Sequence, residues 1–129
     1  MGTDRPVTVL AVDDQEVFRR VVRGLIVATP GFEQVGEAAS GPEALELVAE
    51  LHPDLVLIDV RMPGMDGIET ARLLAEVDDR AVVVLTSIEA LPELPSVVAL
   101  REAEAYIRKQ DLTTSALREV WEAHRPRAG

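Results

Sequence analysis

The chain has 129 residues, is 47% hydrophobic, contains no cysteine and carries a formal net charge of −10. This length and apolar content suit one domain with a substantial core and leave no room for a second folded domain. The composition excludes disulfides and thiolate metal sites, no apolar run reaches the roughly 20 residues that span a bilayer, and the acidic balance argues against direct nucleic-acid binding by this segment.

Five short runs rich in β-branched residues predict strands, and apolar residues repeat every three or four positions between them, as in helices. The second helix has a clear start, because Ser40 precedes Glu43 by three residues in a capping-box pattern and Pro42 suits a first helical turn. The predicted strands are Val7–Val12, Glu33–Ala38, Leu55–Ile58, Ala81–Leu85 and Ala105–Ile107. The helical repeats fall at Val17–Ile26, Ala44–Leu51, Ile68–Ala75 and Leu117–Trp121.

Alternating strands and helices predict an α/β fold with a doubly wound parallel sheet. The third and fourth strands are apolar without alternation, as expected of strands that helices cover on both faces. Right-handed connections then bring all carboxyl ends of the strands to one edge, where such sheets bind ligands. We expect one domain over residues 7–123, an N-terminal tail at 1–6, and a tail or the start of a linker at 124–129. Met1–Pro6 shows no signal peptide, so a cytoplasmic protein is expected.

Polar residues follow four of the five strands. They are Asp13 and Asp14 after the first, Asp59 after the third, Thr86 after the fourth and Lys109 after the fifth. Three carboxylates at one edge repel each other unless a cation or a proton compensates them. Because the ligands would all be oxygens, Mg²⁺ is the expected ion.

This combination of groups favours phosphoryl chemistry. A carboxylate can attack phosphorus to form an acyl phosphate, and Asp59 is the best candidate nucleophile. Mg²⁺, the Lys109 ammonium and the Thr86 hydroxyl would each neutralise a phosphate oxygen. The loop from Met62 to Gly67 would fix the Asp59 carboxylate, with the backbone carbonyl of Arg61 available to the metal. A structural alternative is that Asp14 only caps a helix that begins near Gln15.

The pattern resembles the receiver domain of two-component response regulators, from about Val7 to about Ala123. The resemblance rests on Asp13-Asp14, the stretch Leu57–Gly67, Leu85-Thr86-Ser87, and Tyr106-Ile107-Arg108-Lys109. The stretches Val17–Arg20 and Pro30–Ala38 are similar to receivers of regulators that carry a C-terminal helix-turn-helix of the LuxR and NarL kind.

The resemblance implies a flavodoxin-like (βα)₅ fold with strand order 2-1-3-4-5. It also implies phosphorylation of Asp59 by a sensor histidine kinase or phosphotransfer protein, with Mg²⁺ held by Asp13, Asp14 and Asp59. The chain would be a phosphoacceptor rather than an enzyme, and a homodimer is left open. Thr86 and Tyr106 would form the switch, although Tyr106 also fits a half-buried strand residue without that role.

Three departures from the family pattern concern the region before and after the last strand. Glu102-Ala103 replaces Gly-Ala, so the preceding helix must end differently. Pro92 and Pro95 predict that this helix is short and starts near Pro95 or Ser96. Gln110 replaces a proline, so a cis peptide is not expected there. We further hypothesise that Arg61, two residues after Asp59, affects the lifetime of the acyl phosphate.

The sequence is also compatible with functions other than a stand-alone phosphorylation switch. The chain could be the receiver half of a longer DNA-binding regulator, or a pseudo-receiver that binds a protein partner without phosphorylation. A phosphatase of the haloacid-dehalogenase kind also uses an Asp nucleophile with Mg²⁺. It requires Asp-x-Asp after the first strand, whereas Asp13 and Asp14 are adjacent.

Overall fold

A computed structural model describes residues 5–88 and 103–126 of the chain. Five parallel strands form one sheet in the order β2-β1-β3-β4-β5, which confirms the predicted fold class and strand order. The strands are β1 Val7–Val12, β2 Phe32–Ala38, β3 Leu55–Asp59, β4 Val82–Ser87 and β5 Ala105–Arg108.

Helices connect the strands and begin at capping side chains where the sequence offers them. Ser40 accepts a hydrogen bond from the Glu43 N–H at 3.3 Å, as the capping-box pattern predicts, while the Glu43 carboxylate accepts one from the Ala39 N–H at 2.8 Å. The described helices are α1 Glu16–Val27, α2 Gly41–Leu51, α3 Gly67–Val77, the 3₁₀ helix Lys109–Asp111 and the C-terminal helix Thr114–His124. Within residues 5–88 and 103–126, every helix is too short or too polar to cross a bilayer. The helix expected around Pro92 and Pro95 falls outside the described residues.

Alternate residues of each strand pack into two separate cores, one on each face of the sheet. In β3, Val56 and Ile58 pack with α2 and α3, whereas Leu55 and Leu57 pack with α1 and the C-terminal helix. Because side chains alternate along a strand, Asp59 continues the series of Leu55 and Leu57. Its carboxylate therefore emerges on the side of the sheet that α1 covers.

Strands β3 and β4 run one and two residues further than the sequence predicted. Asp59 is the last residue of β3, and Thr86 is the last but one of β4, rather than lying beyond the strands. The two residues are paired in the ladder, and the Val60 N–H donates to the Thr86 carbonyl at 2.9 Å. The sequence prediction ended these strands at Ile58 and Leu85, the last residues of their apolar runs, although the polar residues that follow continue the ladder.

The start of β5 uses a side chain in place of a backbone acceptor. The Glu104 N–H donates to the Val83 carbonyl at 2.8 Å, and the Glu104 carboxylate accepts from the Val83 N–H at 2.6 Å. In a regular parallel ladder a backbone carbonyl would accept that second bond. The predicted change at Glu102-Ala103 is described only for Ala103, which is buried. The peptide bond before Gln110 is trans, as are the others in the described ranges.

Gly67 brings the start of α3 against the end of β3. Its N–H donates to the Val60 carbonyl at 2.9 Å, and a Cβ atom at this position would overlap the backbone carbonyl of Asp59. Only glycine allows this close approach, which fixes the backbone on which the Asp59 carboxylate stands.

We therefore expect Gly67→Ala to lower the free energy of unfolding by about 1–3 kcal/mol, because the added methyl group forces α3 away from β3. The control is Gly24→Ala on the exposed side of α1, where a Cβ meets no atom within 4 Å. That change should stabilise the helix by up to about 1 kcal/mol. Urea unfolding measures both. Equal stability of Gly67→Ala and the wild type would refute the close approach.

Candidate functional site

Three carboxylates meet at the carboxyl edge of the sheet. Asp13 and Asp14 follow β1, Asp59 ends β3, and one carboxylate oxygen of each lies within 4.8 Å of the other two. Asp13 and Asp59 are buried, with 2% and 5% of their surface exposed, whereas Asp14 is exposed. The three acids that the sequence placed at strand ends are thus brought together.

Lys109 lies directly beside the two buried acids. Its Nζ is 2.8 Å from Oδ2 of Asp13 and 3.6 Å from Oδ2 of Asp59, and its side chain is 11% exposed. Lys109 follows β5 immediately and is the single lysine of the sequence. One ammonium against three ionised carboxylates leaves these four groups with a formal charge of −2.

The pKa of Asp59 reflects its burial and this excess of negative charge. Burial and, to a smaller extent, the neighbouring Asp13 carboxylate raise the pKa from 3.8 to about 6, against the opposing effect of Lys109. The folded chain therefore binds a proton at Asp59 more readily than an exposed aspartate does. A bound cation would offset the excess negative charge around Asp59 without protonation of its carboxylate.

Thr86 and Tyr106 occupy neighbouring strands next to Asp59. Thr86 is buried and lies opposite Asp59 in the β3–β4 pairing, on the same face of the sheet. Tyr106 pairs with Leu85, one residue earlier, and is half-buried against the core formed with α2 and α3. The two residues proposed as a switch are therefore close in the sheet but face opposite sides of it.

The loop after β3 contacts the Asp59 carboxylate through its backbone. The Arg61 N–H donates to Oδ1 of Asp59 at 3.4 Å, a long hydrogen bond. Gly64 has a φ of 76°, in the left-handed region that favours glycine, and Asp66 caps α3 by accepting from the Glu69 N–H. The loop thus holds Asp59 from one side while leaving the Arg61 side chain exposed.

The start of α1 shows that Asp14 does not cap this helix. Helix α1 begins at Glu16, its N-cap residue is Gln15, and no side chain caps it. It is Asp13 that contacts this turn, since its Oδ1 accepts from the Gln15 N–H at 2.9 Å. The interpretation of Asp14 as a helix cap is therefore wrong, because Gln15 is the N-cap residue and no side chain caps α1.

Two contacts from α1 to the site were not predicted. The ring centroid of Phe18 lies 4.3 Å from Nζ of Lys109, and Arg19 donates to the backbone carbonyl of Asp13 at 2.5 Å. Phe18 lies in the predicted helical repeat Val17–Ile26, and its partly buried side chain packs against the core. An aromatic residue in the first turn after an acidic pair was the available signal.

The chain matches the family model of the response regulator receiver domain over residues 9–120. It is 37% identical to the nitrate/nitrite response regulator NarL of Escherichia coli K12 over 109 residues, which cover 84% of this chain and 50% of NarL. The chain thus spans half the length of that relative.

Solved structures show the same fold. A LuxR-family response regulator from Aurantimonas aligns with a TM-score of 0.81 and 30% identity, covering 92% of this chain and 84% of that one. The receiver domain of the histidine kinase CKI1 from Arabidopsis thaliana, complexed with Mg²⁺, aligns with a TM-score of 0.71 and 28% identity, covering 90% and 92%. This chain therefore belongs to the response regulator receiver domain family of two-component systems, among the receivers of LuxR- and NarL-type regulators.

Proposed function

We propose that the chain is a phosphorylation-activated switch that accepts a phosphoryl group on Asp59 in a Mg²⁺-dependent reaction. The observation that carries the proposal is the convergence of three carboxylates and one lysine. Oxygens of Asp13, Asp14 and Asp59 lie within 4.8 Å of one another, and the Lys109 ammonium is 3.6 Å from Oδ2 of Asp59. Acidic metal ligands, a nucleophile and a cation thus share one edge of the sheet.

The donor set fits Mg²⁺. All candidate ligands are oxygens, which this ion prefers, and the raised pKa of Asp59 indicates that positive charge at this point would be favourable. The ion would be held by Asp13, Asp14, Asp59 and the Arg61 backbone carbonyl, and the CKI1 receiver in complex with Mg²⁺ supports the assignment by similarity. When bound, Mg²⁺ supplies the charge that neutralises phosphoryl oxygens.

Asp59 acts as the nucleophile. A carboxylate oxygen forms a bond to phosphorus, the bond from phosphorus to the donor breaks, and the leaving group takes the electron pair. The Lys109 ammonium donates to one phosphoryl oxygen and the Thr86 hydroxyl to another, so the developing charge is spread over fixed donors. Attack of water on the acyl phosphate returns the Asp59 carboxylate and inorganic phosphate.

Thr86 and Tyr106 transmit phosphorylation of Asp59 to the surface around β5. When the Thr86 hydroxyl moves toward the phosphoryl group, the half-buried Tyr106 ring on the next strand turns inward and changes the surface around β5. The phosphoryl donor would be a sensor histidine kinase or a phosphotransfer protein. Homodimerisation would be one response to the changed surface around β5. Because the chain spans half the length of NarL, we propose residues 7–123 as the receiver half of a longer regulator.

We expect a Mg²⁺-dependent adduct when the chain is incubated with acetyl phosphate, because that donor needs only Asp59 and its neighbours. Intact-mass measurement should show one phosphoryl group, stable in acid and labile in base. The adduct should be lost in Asp59→Asn and kept in Asp79→Asn, a matched change at an exposed site. Absence of an adduct in folded wild type with Mg²⁺ would contradict the proposal and favour a pseudo-receiver.

We expect Asp59→Asn to stabilise the metal-free chain at pH 7.5 by about 1–3 kcal/mol, because a pKa raised from 3.8 to about 6 disfavours the ionised folded state above pH 6. The penalty fades as the pH falls from about 6 toward 4, where Asp59 binds a proton. The gain should therefore be small at pH 4.5, and saturating Mg²⁺ at pH 7.5 should also reduce it. Urea unfolding measures the stability difference at pH 7.5, at pH 4.5, and at pH 7.5 with Mg²⁺. If Asp59→Asn is less stable than the wild type at pH 7.5 without Mg²⁺, the charge argument is refuted.

We expect Arg61→Ala to shorten the lifetime of the acyl phosphate several-fold, because Arg61 lies two residues after Asp59 and its exposed side chain would limit the approach of water. Autodephosphorylation after removal of acetyl phosphate measures the effect. The control is Arg72→Ala, another exposed arginine, on α3. Identical rates in Arg61→Ala and wild type would remove this role.

A further inference from the structure

The face of the Phe18 ring covers one side of the Lys109 ammonium. The ring centroid lies 4.3 Å from Nζ, and the Lys109 side chain is 11% exposed, so little of the ammonium can be hydrated. An ammonium over an aromatic face is attracted by the negative charge of the ring face, and the attraction is stronger where water is excluded.

The ammonium thus has three neighbours of different kinds. Asp13 lies at 2.8 Å and Asp59 at 3.6 Å, and Phe18 is the third. A lysine ends in a flexible four-carbon stem and a compact charge with no preferred direction, so two carboxylates alone hold it loosely. The ring adds a contact that does not depend on either carboxylate being ionised.

Helix α1 carries the ring and also contacts the backbone of Asp13. The partly buried Phe18 side chain packs against the core shared by α1 and the C-terminal helix, which restricts the ring. The next residue, Arg19, donates to the backbone carbonyl of Asp13. The first turns of α1 therefore set the position of the Lys109 ammonium relative to Asp13.

We propose that Phe18 is a positioning residue, which holds the Lys109 ammonium at the edge of the site where it meets a phosphoryl oxygen on Asp59. When the Asp59 carboxylate becomes an acyl phosphate, its pairing with Lys109 changes, whereas the ring contact stays. The ring then keeps the ammonium from moving toward Asp13 or into solvent. This role rests on the proposed phosphoryl transfer at Asp59.

The test compares Phe18→Leu with Phe18→Tyr and Phe32→Leu. Leucine keeps an apolar side chain but lacks the ring, and tyrosine keeps the ring. Phe32 begins β2, packs against the same core and is the other phenylalanine of the chain, so Phe32→Leu controls for loss of aromatic packing. Because Lys109 is the single lysine, ¹³C-lysine labelling gives one set of signals that reports on the ring directly.

We expect Phe18→Leu to shift the Lys109 ε-methylene signal out of the ring-current range. It should also slow phosphorylation by acetyl phosphate about two- to thirty-fold, the range that a cation–π contact supports. Phe18→Tyr should retain both the signal and the rate. Phe32→Leu should lose a similar amount of stability yet leave both unchanged. In a Lys109→Met background, Phe18→Leu should cause no further loss of rate.

The role is overturned if Phe18→Leu keeps the wild-type rate, if Phe32→Leu slows the reaction equally, or if Phe18→Leu slows Lys109→Met further. The signal of the labelled Lys109 distinguishes failure of the Phe18 role from failure of the proposed phosphoryl transfer at Asp59. A wild type that forms no adduct, while only Phe18→Leu shifts the Lys109 signal, would show a real contact in a site that does not transfer phosphoryl groups, and would remove the positioning role.

Discussion

The ion pair between Lys109 and Asp13, at 2.8 Å, is the interaction on which the site depends. Burying Asp13 and Asp59 side by side costs free energy, and Lys109 offsets only part of it, as the raised pKa of Asp59 shows. The remaining negative charge would attract a bound cation, which would in turn neutralise the oxygens of a transferred phosphoryl group. The site is thus under electrostatic strain in the metal-free chain, and the sheet, Gly67 and α1 are what hold it together.

Much of this arrangement could be predicted from the sequence. Parallel strands bring their carboxyl ends to one edge of the sheet. The residues at the predicted strand ends were therefore enough to predict that Asp13, Asp59, Thr86 and Lys109 lie at that edge. Apolar runs located all five strands, and the capping box at Ser40 located the start of α2. The ends of β3 and β4 were placed too early, because Asp59 and Thr86 are polar residues that continue the ladder.

The contacts that the sequence did not predict join residues far apart in the chain. Phe18 belongs to the predicted helical repeat Val17–Ile26, and nothing in that spacing shows that its ring both packs against the core and meets Lys109. Glu104 replaces a backbone acceptor for Val83, a substitution that depends on where β5 begins. Arg5, assigned to a tail, forms two hydrogen bonds to the Asp54 carboxylate at 2.8 and 2.9 Å, which depends on β1 and β3 being neighbours.

The most direct measurement is a crystal structure of the chain with Mg²⁺ and beryllofluoride, a stable mimic of the phosphoryl group. We expect beryllium bonded to a carboxylate oxygen of Asp59, Mg²⁺ coordinated by the acidic cluster, and the Lys109 ammonium in contact with a fluorine while still over the Phe18 ring. Beryllofluoride bound elsewhere, or an Asp59 carboxylate that stays unmodified with Mg²⁺ in place, would contradict it.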